Sequence, residues 1–392
     1  MSGDFRLLLA ARLLRAFGFG FAAILVPLQL ERRGLSAVSI GIALAVGVLG
    51  AGAGSILWAR VSSSAGRRRS LASIGVLMAL TGLDLALSRA GPVLIAAGIT
   101  GMLGAAAIDL APYAAIEQAV LAESVEARQR NRAFSRYAMT GGLATAAGGV
   151  CASLASSGER SDLFFLLYAL IGLATAALAS LMSAGVEGGG EPAPATAQPR
   201  PALYLLAGLF AIDALGGGFV VNSVIAYWLH VRFAAGLQVL GPAFGVIALA
   251  QVASYELAGR LADRLGLVTT MVATHLPSNL LLVLVPLAPN LAVALAVLIL
   301  RFSLSQMDVP TRQAYVVSIV PSRDRASAAA LMTAARGTTA AIGPAIAGAA
   351  IQAAAFGLPF FLGGGIKILY DALLYLGFRR RRAEHETSLG SP

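Results

Sequence analysis

Twelve apolar runs, each near or above the ~20 residues that a helix needs to cross about 30 Å of hydrocarbon, follow one another along this chain. They lie near residues 5–30, 37–59, 70–88, 92–121, 133–155, 163–184, 202–229, 239–262, 267–288, 290–311, 326–350 and 356–378. Charged residues are only 12% of the chain and hydrophobic ones 58%. A soluble domain carries about 25% charged residues, so this one lacks the polar surface to stay in water. The expected class is an all-α integral membrane protein of twelve transmembrane helices. The first run exceeds signal-peptide length without an obvious cleavage site and reads as a retained helix.

The net charge of +10 does not point to nucleic acid, because the basic residues sit in the short gaps between runs. With the N-terminus inside the cell, the cytoplasmic segments, counting the adjoining ends of the runs, hold nineteen arginines and the outer gaps five. The positive-inside rule then places both termini in the cytoplasm of a cell-membrane protein. Arg379 to Arg382 extend the same bias, with anionic membrane lipid as the natural partner. The lone Cys151 excludes an internal disulfide, and His230, His275 and His385 have no metal-ligand spacing. No cofactor is expected.

Residues 185–200, GVEGGGEPAPATAQPR, are rich in Gly and Pro and read as a flexible cytoplasmic linker at the midpoint of the chain. The expected organisation is a six-helix half at 1–184, the linker, a second half at 201–379 and a basic tail at 380–392. The halves match weakly at an offset of 195: Gln118-Ala119 with Gln313-Ala314, Arg128 with Arg323, Arg130 with Arg325, Gly142 with Gly337, and Gly148 with Gly343. Asp109 meets Asp308 only at an offset of 199, so about one helical turn is inserted between. Two pseudo-symmetric six-helix halves place a binding site between them near the midplane.

Ionisable groups inside spans cost several kcal/mol and are functional by default. Arg15, Asp213, Arg301, Arg336 and Lys367 each lie about ten residues into a span, on the order of 15 Å deep. Lys367 and Asp371, four apart, can pair on one helix face. Arg301, Ser305, Asp308 and Arg312 form one stripe, which must face protein or water. Asp213 is either a proton carrier or half of a permanent ion pair with Arg301 or Arg336. The Gly216-Gly217-Gly218 run after it allows unwinding or close packing. Arg12 is shallow enough to snorkel. Tyr227 and Trp228 read as an interfacial anchor, and Asn222 faces the cavity.

Gly259-Arg260-Leu261-Ala262-Asp263-Arg264-Leu265-Gly266 fits the G-x-L-A-D-R-x-G loop of the major facilitator superfamily, and the chain resembles that family over essentially its whole length. The first-half loop keeps Gly66-Arg67-Arg68-Arg69 but has Ser63 where the family usually has Asp. Gly343-Pro344 resembles the family's antiporter element, in helix eleven rather than helix five. The resemblance implies that Asp263 docks on the start of helix five, near Arg132 and Arg136, as a latch with Gly259, Arg264 and Gly266. Glu256, just upstream, belongs to the same latch. The resemblance puts helices one, four, seven and ten around the cavity. Arg301 is then a substrate or coupling residue, with Arg15, Asp213, Asn222 and Arg336. Asp109, Glu117, Asp308 and Arg312 become gate residues.

The function expected is a secondary active transporter moving a small organic solute by alternating access, with the proton as candidate coupling ion. No G-x-x-x-x-G-K-[ST] loop is present, so ATP is not the drive. The mid-depth arginines outnumber Asp213 and favour an anionic or zwitterionic solute. A proton-driven multidrug exporter is the alternative. An enzyme would need a nucleophile or metal cluster, and neither is legible.

Overall fold

The computed structural model describes residues 3–104, 111–125, 130–155, 158–187, 201–308, 311–312, 315 and 325–378. Within these there is no strand, and the spans are helical because hydrocarbon offers the backbone no other hydrogen-bond partner. The first half contains α1 (Gly3–Arg32), α2 (Ala37–Ala65), α3 (Arg67–Leu87), α4a (Gly91–Ala96), α4b (Ala114–Glu123), α5 (Arg130–Cys151) and α6 (Gly158–Ser180). The second contains α7a (Pro201–Gly218), α7b (Asn222–Phe233), α8 (Leu237–Leu265), α9 (Leu267–Leu284), α10 (Leu291–Ser305), α11a (Arg325–Ala340), α11b (Ile342–Gln352) and α12 (Leu358–Phe378). Among the described residues, eight helices are long and apolar enough to cross a membrane. Leu57, Leu80, Leu87, Leu170 and Leu376 project outward, an arrangement suited to lipid and costly in water.

Helix pairings recur between the halves. α1 packs on α5 and α6, α3 on α6; correspondingly α7 packs on α11 and α12, α9 on α12. The matched glycines occupy matched places. A side chain at Gly148 would strike the backbone of α1 at Phe17, and one at Gly343 the backbone of α7 at Gly218. Gly142 faces α8 at Val252, while Gly337 faces α2 at Gly52. The halves join along α2–α11 and α5–α8.

Four spans depart from the expected single rods; one is α10, expected over 290–311, which ends at Ser305 and is followed by a turn at 306–307. α4a runs into a 3-10 turn at Ala97–Thr100 and breaks at Gly101 and Gly104, both at φ +71°, where one helix over 92–121 was expected. α7 unwinds between Gly218 and Asn222, so the glycine run does both things expected of it: the span opens, and Gly218 lies against Ala340. α11 turns at Ala341.

The face carrying the N-terminus differs from expectation in what replaces the missing acid. Gly66 (φ +92°) and Gly266 (φ +80°) start α3 and α9 in the same extended left-handed conformation, one that glycine adopts without a Cβ penalty. Ser63 bonds only its own helix, to the Arg60 carbonyl. Glu187 supplies the carboxylate instead, accepting from the Arg67 and Arg68 amides at 2.5 and 3.3 Å, a favourable charge at the helix start. The first residues of the expected flexible linker are thus ordered, in a 3-10 turn at Ala184–Glu187. The side chains of Gly259, Asp263 and Glu256 lie outside the described residues, so their docking does too; Arg264 is exposed.

Arg67 also grips Glu123, two residues past the apolar run, at 2.5 and 2.9 Å. This hydrogen bond, with the Arg67 charge, holds the Glu123 carboxyl below its ordinary range. A depressed carboxyl stabilises the fold above its unfolded pKa, and the contribution fades as pH falls through the folded value. Glu123→Gln is therefore expected to lower the melting temperature slightly at neutral pH, for about 0.5 kcal/mol at this half-exposed site. The difference from wild type should vanish in acid, which thermal melts across pH will show.

Candidate functional site

A cavity of about 300 Å³ lies between the halves, and its walls are unequal. The first half contributes Phe19, Gly20, Ala23, Val48, Thr145 and Gly149, among others, none of them charged. Among the described residues, every charged side chain on the wall comes from the second half: Asp213, His275, Arg301, Asp308, Arg312, Arg336 and Lys367. Asn222, Gln251, Ser305 and Gln306 add neutral polar groups.

Asp213, on α7a just before the unwound stretch, is the hub. Lys367 of α12, the one lysine in the sequence, donates to its Oδ1 at 2.5 Å. Arg312 donates to its Oδ2 at 3.4 Å and to Asp308 at 3.0 Å. The ion-pair partners of Asp213 are therefore not Arg301 or Arg336, and Lys367 does not pair with Asp371. Asp371 turns to α9: its Oδ1 lies 2.7 Å from His275 Nδ1, and its Oδ2 accepts from Asn279 at 2.8 Å. The free edge of the His275 ring, Nε2, is 3.7 Å from Asp213. Nothing in the spacing of the histidines marks His275; its signal was position, mid-span among Thr274, Ser278 and Asn279.

Arg301 stands apart. It is 6% exposed, its guanidinium lies 4.3 Å over the Phe302 ring, and its Nε and Nη1 have no hydrogen-bond partner. Ser305 ends the same helix, and Asp308 and Arg312 follow the turn at 306–307; all three are buried on the same wall.

Arg15 is not on the cavity wall. It is buried under Tyr113, whose ring centroid is 4.1 Å from the guanidinium, and it donates to Glu117, which also accepts from Tyr137. Glu117 is thus a buried partner of α1 rather than a free gate residue. Arg15 and Asp213 are 198 apart, as are Gly20 and Gly218 on the same helices, and Glu117 and Arg312 are 195 apart. The α1–α4 and α7–α10 ion pairs are therefore pseudo-equivalent with their charges exchanged. Arg12 does not snorkel; it is buried against the Tyr137 ring at 4.5 Å. Asp109 lies outside the described residues.

On the face away from the N-terminus, the halves meet closely. The Glu31 carboxylate of α1 is 3.3 Å from His230 Nε2 and accepts from the Tyr227 hydroxyl at 3.4 Å, while Gly41 and Gly348 bring α2 and α11b into backbone contact. Trp228 is wholly buried, donating to the Phe356 carbonyl at 2.8 Å with Phe360 at 4.5 Å, so it and Tyr227 pack this face and are not a lipid-interface anchor.

A family model described as Major Facilitator Superfamily matches residues 8–305 and 206–392. A Saccharomyces cerevisiae membrane protein, YJR124C, is 23% identical over 418 residues, 95% of this chain and 93% of that protein. The inward-open E. coli xylose transporter XylE superimposes with a TM-score of 0.75 at 16% identity, covering 98% of this chain and 99% of that one. The human organic anion transporter MFSD10 does so with 0.65 at 17%, covering 95% and 100%. At these identities the structural likeness shows fold alone; the match to the family model covers nearly the whole chain. With its twelve spans in two repeated halves around a central cavity, the chain belongs to the major facilitator superfamily and is a multi-pass membrane transporter working by alternating access.

Proposed function

We propose that the cargo is a small organic anion with an apolar body, bound with its carboxylate on Arg301 and its body against Phe19, Ala23 and Val48. The carrying observation is the unpartnered guanidinium of Arg301 on the cavity wall. Burying an unpaired cation is costly, and such groups persist where a counter-charge arrives. Asp213 and Asp308 are both held by other cations, Lys367 and Arg312, so the Arg301 charge is in surplus on that wall. An exporter of lipophilic cations is poorly served by this site for the same reason. MFSD10, which shares the fold, is an organic anion transporter, in keeping with the reading.

The N-terminal face is cytoplasmic on this reading, because of the nineteen-to-five arginine bias, and the close far-face contacts make the present state inward-facing. Membrane-impermeant thiol reagent on intact cells, in a Cys151→Ser background, is expected to label Ser36→Cys and spare Ser64→Cys. The reverse pattern would invert the topology.

The test of the cargo is thermal stabilisation of purified protein, since a ligand that binds the native state raises its melting temperature. Lactate, benzoate and succinate are the anionic probes, xylose and uridine the neutral ones. Stabilisation by the neutral probes alone would refute the anion reading.

A further inference from the structure

The second half contains polar chemistry that its own repeat shows to be unnecessary for folding. In the first half α3 and α6 touch at Gly75 and Gly172, where a Cβ on either would come within 2.8 Å of the other's carbonyl. Two hundred residues beyond Gly75 stands His275, and 199 beyond Gly172 stands Asp371; Ala79 of the same seam is answered by Asn279. Small residues suffice to pack this seam, as they do between membrane helices generally. An imidazole, a carboxylate and a carboxamide, all buried, carry a desolvation cost that packing does not require.

We infer that His275 is a proton-binding site, and that its protonation transfers Asp213 from Lys367 to His275, releasing the Lys367 ammonium toward the cavity. The geometry supports each part. Both oxygens of Asp371 are occupied, by the His275 Nδ1 edge and the Asn279 amide, which assigns the neutral ring's proton to Nδ1. The Nε2 lone pair then faces Asp213 Oδ1 across 3.7 Å, acceptor against acceptor. A proton passed to Nε2 from hydronium in the cavity, which is left as neutral water, turns that repulsion into an ion pair; no other covalent bond changes. Asp213 Oδ1 is the same oxygen that Lys367 holds, so the two cations compete for it.

The groups around His275 are Asp371, Lys367 and the edge-packed Tyr370 ring of α12, Asp213 of α7a, and Arg301 of α10, whose carbonyl accepts from Ser278. The charged side chains Glu256, Arg260 and Asp263 of α8 lie outside the described residues. His275 and Lys367 both line the cavity, so water and solute reach them.

The sequence makes the test single-site. Lys367 is the one lysine and His275 one of three histidines. Protein labelled with 15N-lysine and 15N-histidine, in nanodiscs, is titrated between about pH 5 and 8, where histidine changes charge. The His275 and Lys367 side-chain signals are expected to change over the same pH interval. In His275→Gln the Lys367 signal should stay constant, and in Asp371→Asn the shared interval should move. A Lys367 signal that is constant while His275 protonates, or that still responds in His275→Gln, would overturn the exchange. So would a response to sodium in place of choline with none to pH, which would mark a sodium site. The wild-type series decides by itself if a variant does not fold. Release of Lys367 toward a carboxylate rests on the anion reading. Benzoate should therefore bind at least 10-fold tighter at the acid end of the series. No benzoate response, with the paired pH changes intact, would sink the anion reading and leave the proton site standing.

Discussion

Arg301→Gln is expected to abolish the response to lactate, benzoate and succinate while leaving the melting temperature of the ligand-free protein unchanged or higher. The two effects separate because the guanidinium has no hydrogen bond at Nε or Nη1 to lose, only its contact with the Phe302 ring. Glutamine keeps a polar side chain of similar reach but removes the charge that a carboxylate would meet in a water-poor cavity. Losing one member of a buried, hydrogen-bonded charge pair costs about 2–5 kcal/mol of binding, and each ~1.4 kcal/mol is tenfold. Affinity should fall at least about 30-fold. In the empty protein the same change removes an unpaired buried charge, which does not destabilise. Calorimetric binding with parallel thermal melts reads both. A variant that melts well below wild type would show that Arg301 is structural, and one that still binds would move the anion site elsewhere.

Asp213→Asn is expected to be the most damaging single substitution in the second half. It strips Lys367 of its carboxylate and takes one of the carboxylates that Arg312 holds. Breaking a buried pair by removing one partner costs about 3–5 kcal/mol, because the remaining charge stays buried and uncompensated. Lys367→Met in the same molecule removes that charge and keeps an unbranched side chain, so the double variant should regain most of the lost stability. A double-mutant cycle isolates the coupling. If Asp213→Asn alone melts like wild type, the fold does not depend on Asp213 to hold Lys367 and Arg312, and the hub reading fails. Transport should not return with stability in the double variant, since both groups line the cavity.

What the linear pattern could show was set by periods and lengths. Runs long enough to cross hydrocarbon can only be helices, so the twelve spans were legible. The repeat was too: Gly148 with Gly343 and Gly142 with Gly337 serve matched helix contacts. That Arg301, Ser305, Asp308 and Arg312 share one wall was readable from helical spacing, although the turn at 306–307 interrupts the helix. The break in α4 was not, since Gly101 and Gly104 look like many other glycines in a chain that has 44.

Partner choice was the part that only the tertiary structure decided. Lys367 and Asp371 are four residues apart and could have paired; packing α12 between α7a and α9 gave one to Asp213 and the other to His275 and Asn279. Arg15 and Arg301 sit at like depth in their spans, yet one found Glu117 across α1–α4b and the other faces the cavity without a partner. Glu187 sat in a stretch that reads as a linker, and became the carboxylate at the start of α3. Sequence fixes depth and face, because both follow from one helix's own geometry. Which opposite charge comes within about 3 Å depends on how several helices cross, and a Coulomb term in a low-dielectric interior falls steeply enough with distance for that crossing to decide the outcome.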